Sequence, residues 1–299
     1  MYKLEKYMGN TPLVKVQNIL GDGYANVYVK LEEFNPAGSI KSRVANQMIV
    51  DAEEQGKLKK GMYLLEATGG NTGMGLAFIS AIRGYNLTLV IPDNFSKEKI
   101  NVLKQYGAQI ILSDHTTGVG SHIRLANKLL EENKEYYHLD QFHNLSNPKA
   151  HYLGTGEELL SQLNGNIQCF VAGIGSGGTI GGVSKRLREF DPNISIYGVQ
   201  PEGCDYIHNK TIPHKIEAIS VGIESVFFDK CMLNGMLSVK YSEVLELINW
   251  LAKNQGIFVG LSSGANILAA MKLATKYPNT CNIVTVAPDS GKSYLPHFS

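Results

Sequence analysis

The fold is decided by the stretch Cys169-Phe170-Val171-Ala172-Gly173-Ile174-Gly175-Ser176-Gly177-Gly178-Thr179, in which an apolar run leads into a glycine-rich loop. Apolar residues at helical spacing predict a helix over 180–189, and a strand is predicted over 195–199. Strands that alternate with helices need crossover connections, and these connections place neighbouring strands parallel in one sheet. The stretch therefore predicts an α/β fold.

The same alternation of strands and helices extends along the chain. Further strands are predicted at 63–66, 87–91, 109–112, 257–259 and 282–286, and further helices at 44–54, 74–82, 96–106, 121–132, 244–254 and 265–276. With 299 residues the chain can form two lobes, each with its own core, that meet near residue 146.

Composition excludes several classes of function. The formal net charge is +1 without a basic block, so no nucleic-acid partner is implied. No apolar run approaches the ~20 residues that span a bilayer, and the N-terminus has no apolar signal segment. The four cysteines are widely spaced, which fits a reducing, cytoplasmic setting, and the eight histidines show no metal-ligand spacing. We therefore expect a cytoplasmic protein without a metal site.

The loop 173–179 has the composition of a phosphate cradle, because glycines allow close approach and a helix start offers free N–H groups. It also matches the Gly-x-Gly-x-x-Gly pattern of dinucleotide-binding folds. That alternative needs an acidic residue at the end of the next strand, where this chain has Gln200, with Glu202 beyond Pro201. Both interpretations remain open on this motif alone.

Two more polar, glycine-containing loops open predicted helices. The first is Thr68-Gly69-Gly70-Asn71-Thr72-Gly73, which is either a binding loop or a tight turn. The other, Gly260-Leu261-Ser262-Ser263-Gly264-Ala265-Asn266, carries hydroxyl residues that often serve only as helix caps.

Lys41 closes the run Asn35-Pro36-Ala37-Gly38-Ser39-Ile40-Lys41, in which several residues break regular structure and Ser39 can cap a helix. The lysine is thus expected in the first turn of a helix, where the positive end of the dipole disfavours an ammonium. A neutral amine is what an imine-forming lysine needs. A solvated surface lysine is the alternative.

Taken in order, the motifs resemble the cysteine synthase / cystathionine β-synthase family, whose members are fold-type II enzymes that use pyridoxal 5′-phosphate (PLP). The resemblance runs nearly end to end. It rests on the loops above and on Gly9-Asn10-Thr11-Pro12-Leu13-Val14, Gln141-Phe142, Asn147-Pro148-Lys149-Ala150-His151-Tyr152 and Pro288-Asp289-Ser290-Gly291.

The resemblance implies a tryptophan synthase β-like fold of two lobes, each a mostly parallel twisted sheet with helices on both faces. One lobe would comprise 1–12 and 35–145, with a mobile part at about 84–131; the phosphate-binding lobe would comprise 13–34 and 146–299. Lys41 would carry PLP as a Schiff base and move the substrate Cα proton. The resemblance also implies cofactor contacts: Asn71 at the ring hydroxyl, Ser262 at the pyridine nitrogen, and Gly175, Ser176, Gly177, Gly178 and Thr179 at the phosphate. The implied substrate-binding residues are Thr68, Gly69, Thr72, Gln141 and Gly222.

The implied reaction is β-replacement through an aminoacrylate, which makes or breaks a Cβ–S bond in cysteine metabolism. Amino acids and a thiol or sulfide would be the substrates, and a homodimer would be the working state. Cysteine synthesis from O-acetylserine, cystathionine synthesis and sulfide release from cysteine remain open. The alternatives outside this reaction are a serine/threonine dehydratase-like deaminase and a non-catalytic regulator of the same fold.

Two positions depart from the common cysteine synthase pattern. Gly69 stands where a serine is usual, which removes one hydroxyl from the carboxylate grip. Glu224 stands where a glycine is usual, and cystathionine β-synthases often carry an acid there. We hypothesise that Glu224 is catalytic, as a general acid for a poor leaving group or as an activator of water or thiol, and that it marks serine or cysteine as first substrate. A solvated loop glutamate is the alternative.

Overall fold

The computed structural model describes residues 4–16, 21, 23–118 and 120–298. The chain forms two compact units. The first unit comprises Met1–Met8 and Asn35–Ser146, and the second comprises Gly9–Phe34 and Asn147–Ser299. Each unit contains its own sheet and its own hydrophobic core.

The strands and helices of the described residues follow each other along the chain in the predicted alternation. The strands are β1 Leu13–Lys15, β2 Asn26–Leu31, β3 Tyr63–Glu66, β4 Asn86–Pro92, β5 Gln109–Ser113, β6 Tyr136–His138, β7 Cys169–Gly173, β8 Ser195–Pro201, β9 Gly235–Val239 and β10 Asn282–Ala287. The α-helices are α1 Lys41–Glu54, α2 Asn71–Arg83, α3 Lys97–Gln105, α4 Ser121–Glu132, α5 Ser146–Ala150, α6 Glu157–Gln162, α7 Gly178–Phe190, α8 Tyr241–Gln255 and α9 Leu261–Ala274, and a π-helical turn, His151–Gly156, joins α5 to α6.

The sheet of the first unit has the strand order β5-β4-β3-β6, and its pairings are parallel. Burial explains why its strands read as apolar runs: β4 has a core of five buried residues between its ends. Helices α1 and α2 pack against each other over this core, which includes Val44, Met48, Leu64 and Leu76.

The sheet of the second unit has the strand order β1-β2-β10-β7-β8-β9. Only the β1–β2 pair is antiparallel among these pairings. Strand β10 is buried along its whole length, and it lies between β2 and β7. Helix α9 packs on this sheet with most of its residues buried.

Both units contain the same kind of topological switch point. In the first, the chain proceeds from β3 to β4 to β5 and then returns to place β6 on the other side of β3. In the second, it proceeds from β7 to β8 to β9 and returns to place β10 beside β7. Ligands in open parallel sheets bind beyond the carboxyl ends of the strands at such points. The segments after β3 and β6, and those after β7 and β10, are thus the places to look for a site.

These observations confirm the predicted α/β class with mostly parallel sheets and helices on both sides. Within the residues described above, none of the helices has the length and apolar character that crossing a membrane would require. The expected mobility of 84–131 stays a prediction.

Some predicted elements need correction. The expected strand at 257–259 is wrong: Val259 forms only an isolated bridge with Ser290. Helix α1 begins at Lys41 and not at residue 44, because Ser42 and Arg43 are buried polar residues that the apolar pattern did not include. Strands β1, β2, β6 and β9 were not predicted, since their polar residues interrupt the apolar runs.

Candidate active site

Lys41 is the first residue of α1, as the loop before it predicted. The hydroxyl of Ser39 accepts a hydrogen bond from the backbone N–H of Lys41 at 3.3 Å, although the residue at the cap position itself is Ile40. The residue is only partly exposed, and desolvation of its amine by burial lowers the pKa of Lys41 to about 8. At neutral pH roughly a tenth of the amine is therefore uncharged and able to attack a carbonyl.

Asn71 lies close to the start of α1 because α1 and α2 pack tightly at their first turns. A Cβ built on Gly75, in the second turn of α2, would lie 2.8 Å from the carbonyl oxygen of Lys41. Only a glycine allows this approach. Helix α2 begins at Asn71 itself, after Gly70 in extended conformation. The structure thus brings together Lys41 and the loop 68–73 in the first unit.

Thr72 and Gln141 meet at the switch point between β3 and β6. The Thr72 hydroxyl donates to Oε1 of Gln141 at 2.7 Å, and both side chains are buried. Thr68 and Gly70 complete the loop, whose first helical N–H groups favour an anion. This arrangement suits the carboxylate of an amino acid, and the assignment of these residues to a substrate stays a prediction.

The structure explains why a serine is absent at Gly69. A Cβ at this position would lie 2.7 Å from Cγ2 of Ile91 and 3.0 Å from Cε1 of Phe95. The space that a serine side chain would need is occupied by these two apolar side chains. Gly69 is therefore part of a packing arrangement that involves β4 and the segment after it.

In the loop 173–179, at the second switch point, Gly175, Gly177 and Gly178 cannot be replaced by a residue with a side chain without strain. A Cβ on Gly175 would lie 2.2 Å from the carbonyl oxygen of Ala218, and one on Gly178 would lie 1.9 Å from Oδ1 of Asn147. Gly177 has a φ of 85° and directly precedes α7. The loop leads into the 13-residue helix α7, so the N–H groups at its start are available to a phosphate. These features fit the phosphate of PLP.

Two residues that we did not predict as site residues support this loop. Asn147 is fully buried and donates from Nδ2 to the hydroxyl of Ser176 at 3.0 Å. His151, also fully buried, has its Nε2 3.2 Å from Oγ1 of Thr179. Both belong to the motif 147–152, which carried the family resemblance; its proximity to the glycine loop depends on the fold and could not be read from spacing.

Ser262 lies in the first turn of α9 and is buried. One turn further on, Asn266 accepts from the backbone N–H of Gly173 at 2.7 Å and donates to the carbonyl of Val286 at 3.0 Å. This amide fixes the start of α9 to the ends of β7 and β10. The structure therefore places Ser262 and the glycine loop around the same switch point.

Gly222 and Glu224 belong to a loop that contacts the glycine loop through its neighbours. The backbone N–H of Ser220 donates to the carbonyl of Ile174 at 2.8 Å, and Gly222 has a φ of 79°. The Glu224 side chain is 53% exposed, pairs with Lys230 at 2.8 Å and accepts from Asn209 at 3.1 Å. The hydrogen bond from Lys230 is the main cause that lowers the pKa of Glu224. The carboxylate is thus ionised at neutral pH. The expected catalytic role of Glu224 stays a prediction.

Among the described residues, one group has the geometry of a possible metal site: the ligand atoms of Asp93, Asp114 and His115 lie within 4.8 Å of one another. All three residues are exposed, and Asp114 is also the cap of a short 3₁₀ turn. Exposed groups of this kind are common without an ion, and the expectation of a metal-free protein stays a prediction.

Comparison with known proteins agrees with this arrangement. The pyridoxal-phosphate dependent enzyme family matches residues 4–289. A cysteine synthase of Staphylococcus aureus is 40% identical over 294 residues, which cover 98% of this chain and 94% of the relative. Among the solved structures that this chain resembles is a hydrogen sulfide-producing enzyme from Fusobacterium nucleatum, with 36% identity, a TM-score of 0.92 and coverage of 98% of each chain. Another is an O-acetylserine dependent cystathionine beta-synthase from Helicobacter pylori, with 33% identity, a TM-score of 0.93 and coverage of 99% of this chain and 97% of that chain. The chain therefore belongs to the family of pyridoxal-phosphate dependent enzymes.

Proposed function

We propose that this enzyme catalyses PLP-dependent β-replacement on a small L-amino acid and makes or breaks a Cβ–S bond in cysteine metabolism. The observation that carries the proposal is Lys41, a lysine with a lowered pKa at the start of α1, packed beside a loop suited to an amino-acid carboxylate. Relatives that are named as cysteine synthase, sulfide-producing enzyme and cystathionine beta-synthase support the reaction class.

The residues that would hold the cofactor are Lys41 at its aldehyde carbon, Asn71 at its ring hydroxyl, 175–179 at its phosphate and Ser262 at its ring nitrogen. PLP supplies an electron sink that makes the Cα–H of a bound amino acid acidic. Ser262 is neutral and, unlike a carboxylate, does not stabilise a protonated ring nitrogen, which favours loss of the β-substituent over a long-lived carbanion.

The residues of the first unit would bind the substrate and move its proton. Thr68, Gly69, Thr72 and Gln141 would orient the substrate carboxylate, and Gly222 would line the substrate side. The Lys41 amine, once released, removes the proton from Cα. A pKa of about 8 suits this exchange, because the amine can accept the proton and release it near neutral pH.

The state of Glu224 bears on the first substrate. Since the Glu224 carboxylate is ionised and paired with Lys230, it is a poor proton donor for a leaving hydroxide. Acetate and sulfide are weakly basic anions that depart without such help. We therefore favour O-acetylserine and cysteine over serine, which revises the substrate choice inferred from Glu224 in the sequence.

A substrate panel tests the proposal. O-acetylserine, cysteine and serine are offered to the purified enzyme, and acetate, sulfide and pyruvate are measured with and without an added thiol. We expect products from the first two at rates at least ~100-fold above those from serine. Lys41→Ala should abolish both the link to the cofactor that borohydride reduction traps and all turnover. Pyruvate as the main product, with a thiol present, would instead indicate the deaminase alternative.

A variant decides the role of Glu224. If sulfide release from cysteine falls tenfold or more in Glu224→Gln, the carboxylate takes part in catalysis despite its ion pair. An unchanged rate removes Glu224 from the catalytic residues and leaves it as the partner of Lys230 and Asn209.

We also propose that the enzyme acts as a cytoplasmic homodimer, without nucleic-acid or membrane partners. The family resemblance supports the dimer, and the near-neutral net charge of +1 agrees with the absence of a nucleic-acid partner. Light scattering coupled to size-exclusion chromatography tests the dimer; a monomer at micromolar concentration would contradict it.

A further inference from the structure

Glu66 is a buried carboxylate at the end of β3, and the roles assigned to Lys41, the loop residues and Gln141 do not account for it. The residue is 3% exposed. The backbone pairing of β3 with β6 ends at Leu65 opposite His138. One residue further, Oε2 of Glu66 accepts a hydrogen bond from the backbone N–H of Asp140 at 3.0 Å. The side chain of Glu66 thus links the segments that follow β3 and β6 where the strand pairing stops.

The residue that Glu66 holds, Asp140, has an uncommon backbone conformation. Its φ is 51°, in the left-handed region that non-glycine residues adopt infrequently and aspartate more readily than most. The carbonyl of Asp140 accepts from the N–H groups of His143 and Asn144, at 3.1 and 2.9 Å. Its carboxylate lies 2.9 Å from Nδ1 of His143. Asp140 is therefore the fixed first residue of a turn, and Gln141 is the next residue.

Glu66 also precedes the loop 68–73 by two residues, so it is connected to both sides of the Thr72–Gln141 hydrogen bond. On one side it leads by covalent chain to the loop that contains Thr72; on the other it binds the residue before Gln141. A hydrogen bond of 2.7 Å between two buried side chains requires that both backbones keep their spacing. Glu66 is therefore placed where it could hold this spacing.

The charge of Glu66 has a partner in His138. Nε2 of His138 lies 3.5 Å from Oε1 of Glu66. Burial acts to lower the pKa of His138, but the hydrogen bond and charge of Glu66 and the charge of Asp140 outweigh it, so the pKa is raised. A hydrogen bond to an ionised acceptor is stronger than one between neutral groups. The His138–Glu66 pair therefore strengthens the hydrogen bond that Glu66 accepts from the N–H of Asp140.

We propose that Glu66 is a positioning residue for substrate binding: through the N–H of Asp140 it fixes Gln141 against Thr72, so that the amide of Gln141 is held ready for the α-carboxylate of the amino acid. This inference rests on the proposed function, which assigns Gln141 to the substrate. Glu66 itself touches neither substrate nor cofactor in this role.

The test is a double-mutant cycle on the holoenzyme with L-alanine as the probe, since L-alanine has the α-amino and α-carboxylate groups but no leaving group. Its dissociation constant is obtained from the change in the visible band of the bound cofactor. We expect Glu66→Ala to weaken L-alanine about tenfold, and Glu66→Gln, which keeps an acceptor, about threefold. Glu66→Ala combined with Gln141→Ala should bind no more weakly than Gln141→Ala alone. The affinity for PLP should stay within twofold in each variant.

Hydrogen exchange in the absence of an amino acid provides a readout that does not depend on substrate. In Glu66→Ala the backbone amides of 139–144 should exchange faster than in the wild type. Glu53→Ala is the matched control, because Glu53 also accepts from a neighbouring hydroxyl, that of Tyr85 at 2.6 Å, and pairs with Arg83 in the same unit. This control should leave L-alanine binding within twofold.

The outcomes are distinguishable. If Gln141→Ala binds L-alanine like the wild type, the assignment of Gln141 in the proposed function has failed, and the inference with it. If Gln141→Ala weakens binding but the Glu66 variants do not, or if the effects of the two alanine variants add, the proposed function stands and the inference is overturned. If Glu66→Ala does not fold, Glu66→Gln completes the cycle, with a coupling of about threefold expected.

Discussion

The two switch points of this enzyme have the same topology but work with different parts of the chain. After β3 and after β7, a short loop begins a helix of 13 residues, α2 in one unit and α7 in the other. At β7 the loop is fixed by glycines packed against Ala218 and Asn147, so its backbone is its functional part. At β3, Gly69 and Gly73 are also closely packed, but Gly70 has open space around it, and the hydrogen bond to Gln141 comes from the side chain of Thr72.

This difference matches the two kinds of ligand that we propose. A phosphate is a compact, multiply charged group that backbone N–H groups can surround without any particular side chain. An amino acid must be oriented as well as bound, which requires directional groups such as the amide of Gln141. With the exception of Asn71, which is assigned to the cofactor ring, substitutions should therefore affect cofactor binding at one switch point and amino-acid binding at the other.

The largest effect is expected from Gly175→Ala. The new methyl group would lie 2.2 Å from a backbone oxygen, so the loop must move away from the phosphate. Loss of two hydrogen bonds to a charged group, at about 1.5 kcal/mol each, predicts at least ~100-fold weaker PLP binding. Titration of the apoenzyme with PLP measures it. Gly23→Ala, where a Cβ meets nothing within 4 Å, is the control, and equal PLP affinity in the two variants would contradict the packing argument.

The next effect concerns the lysine of the first unit and pH. Burial lowers the pKa of Lys41 to about 8, so the reactive neutral amine is lost as pH falls below that value. The rate of PLP incorporation into the apoenzyme, at a limiting PLP concentration, should rise about fiftyfold from pH 6 to pH 8 and become constant above pH 9. Stopped-flow absorbance follows the reaction. A midpoint near pH 10, the value of a solvated lysine, would show that burial does not determine its reactivity.

Thr72→Val should separate the two switch points. The substitution keeps the shape but removes the hydroxyl that donates to Gln141, and leaves a buried amide oxygen without that donor. A cost of about 1.4 kcal/mol predicts tenfold weaker binding of L-alanine with unchanged PLP affinity. Both constants come from spectroscopic titration. If PLP binding weakens by the same factor, Thr72 does not act on the amino acid alone.

The smallest effect is expected from Gly69→Ser, which restores the residue usual in cysteine synthases. Because the methylene would meet Ile91 and Phe95, we expect a loss of about 1 kcal/mol in the free energy of unfolding. Ile91→Val in addition should recover only a small part of it, since valine lacks the Cδ1 that would lie 3.2 Å away but keeps the Cγ2 that makes the closest contact. Urea denaturation measures both variants. A serine that is tolerated without the second substitution would show that these side chains give way freely.

The sequence was sufficient for features that depend on local pattern. The glycine loop, the position of Lys41 at a helix start and the alternation of strands and helices all follow from residues close in the chain. The strand β2 was missed because Lys30 interrupts its apolar pattern. Lys30 is fully buried, and it is tolerated because Glu158 lies 2.7 Å away and the oxygens of Thr11 and Gln162 accept further hydrogen bonds from its ammonium. A partner 128 positions further along the chain gives no local signal.

The candidate site shows the same limit. Lys41, Asn71 and the loop 175–179 were identified from motifs, whereas Asn147, His151 and Glu66 acquire a role only from the contacts that the fold creates. Glu224 illustrates the converse: its place in the motif suggested a proton donor, which stays a prediction, whereas its ion pair with Lys230 follows from no spacing rule.

The central position of β10 has a consequence for the order in which the chain can fold during synthesis. The residues 35–146 of the first unit are contiguous and can fold as soon as they leave the ribosome. In the second unit, β2 emerges early and β7 to β9 later, yet β2 and β7 must wait for β10, which inserts between them and is made after both. Until then β2 and β7 present unpaired edges that invite association with other chains. Nascent or truncated chains that lack 282–287 should therefore depend on chaperones far more than the finished enzyme does.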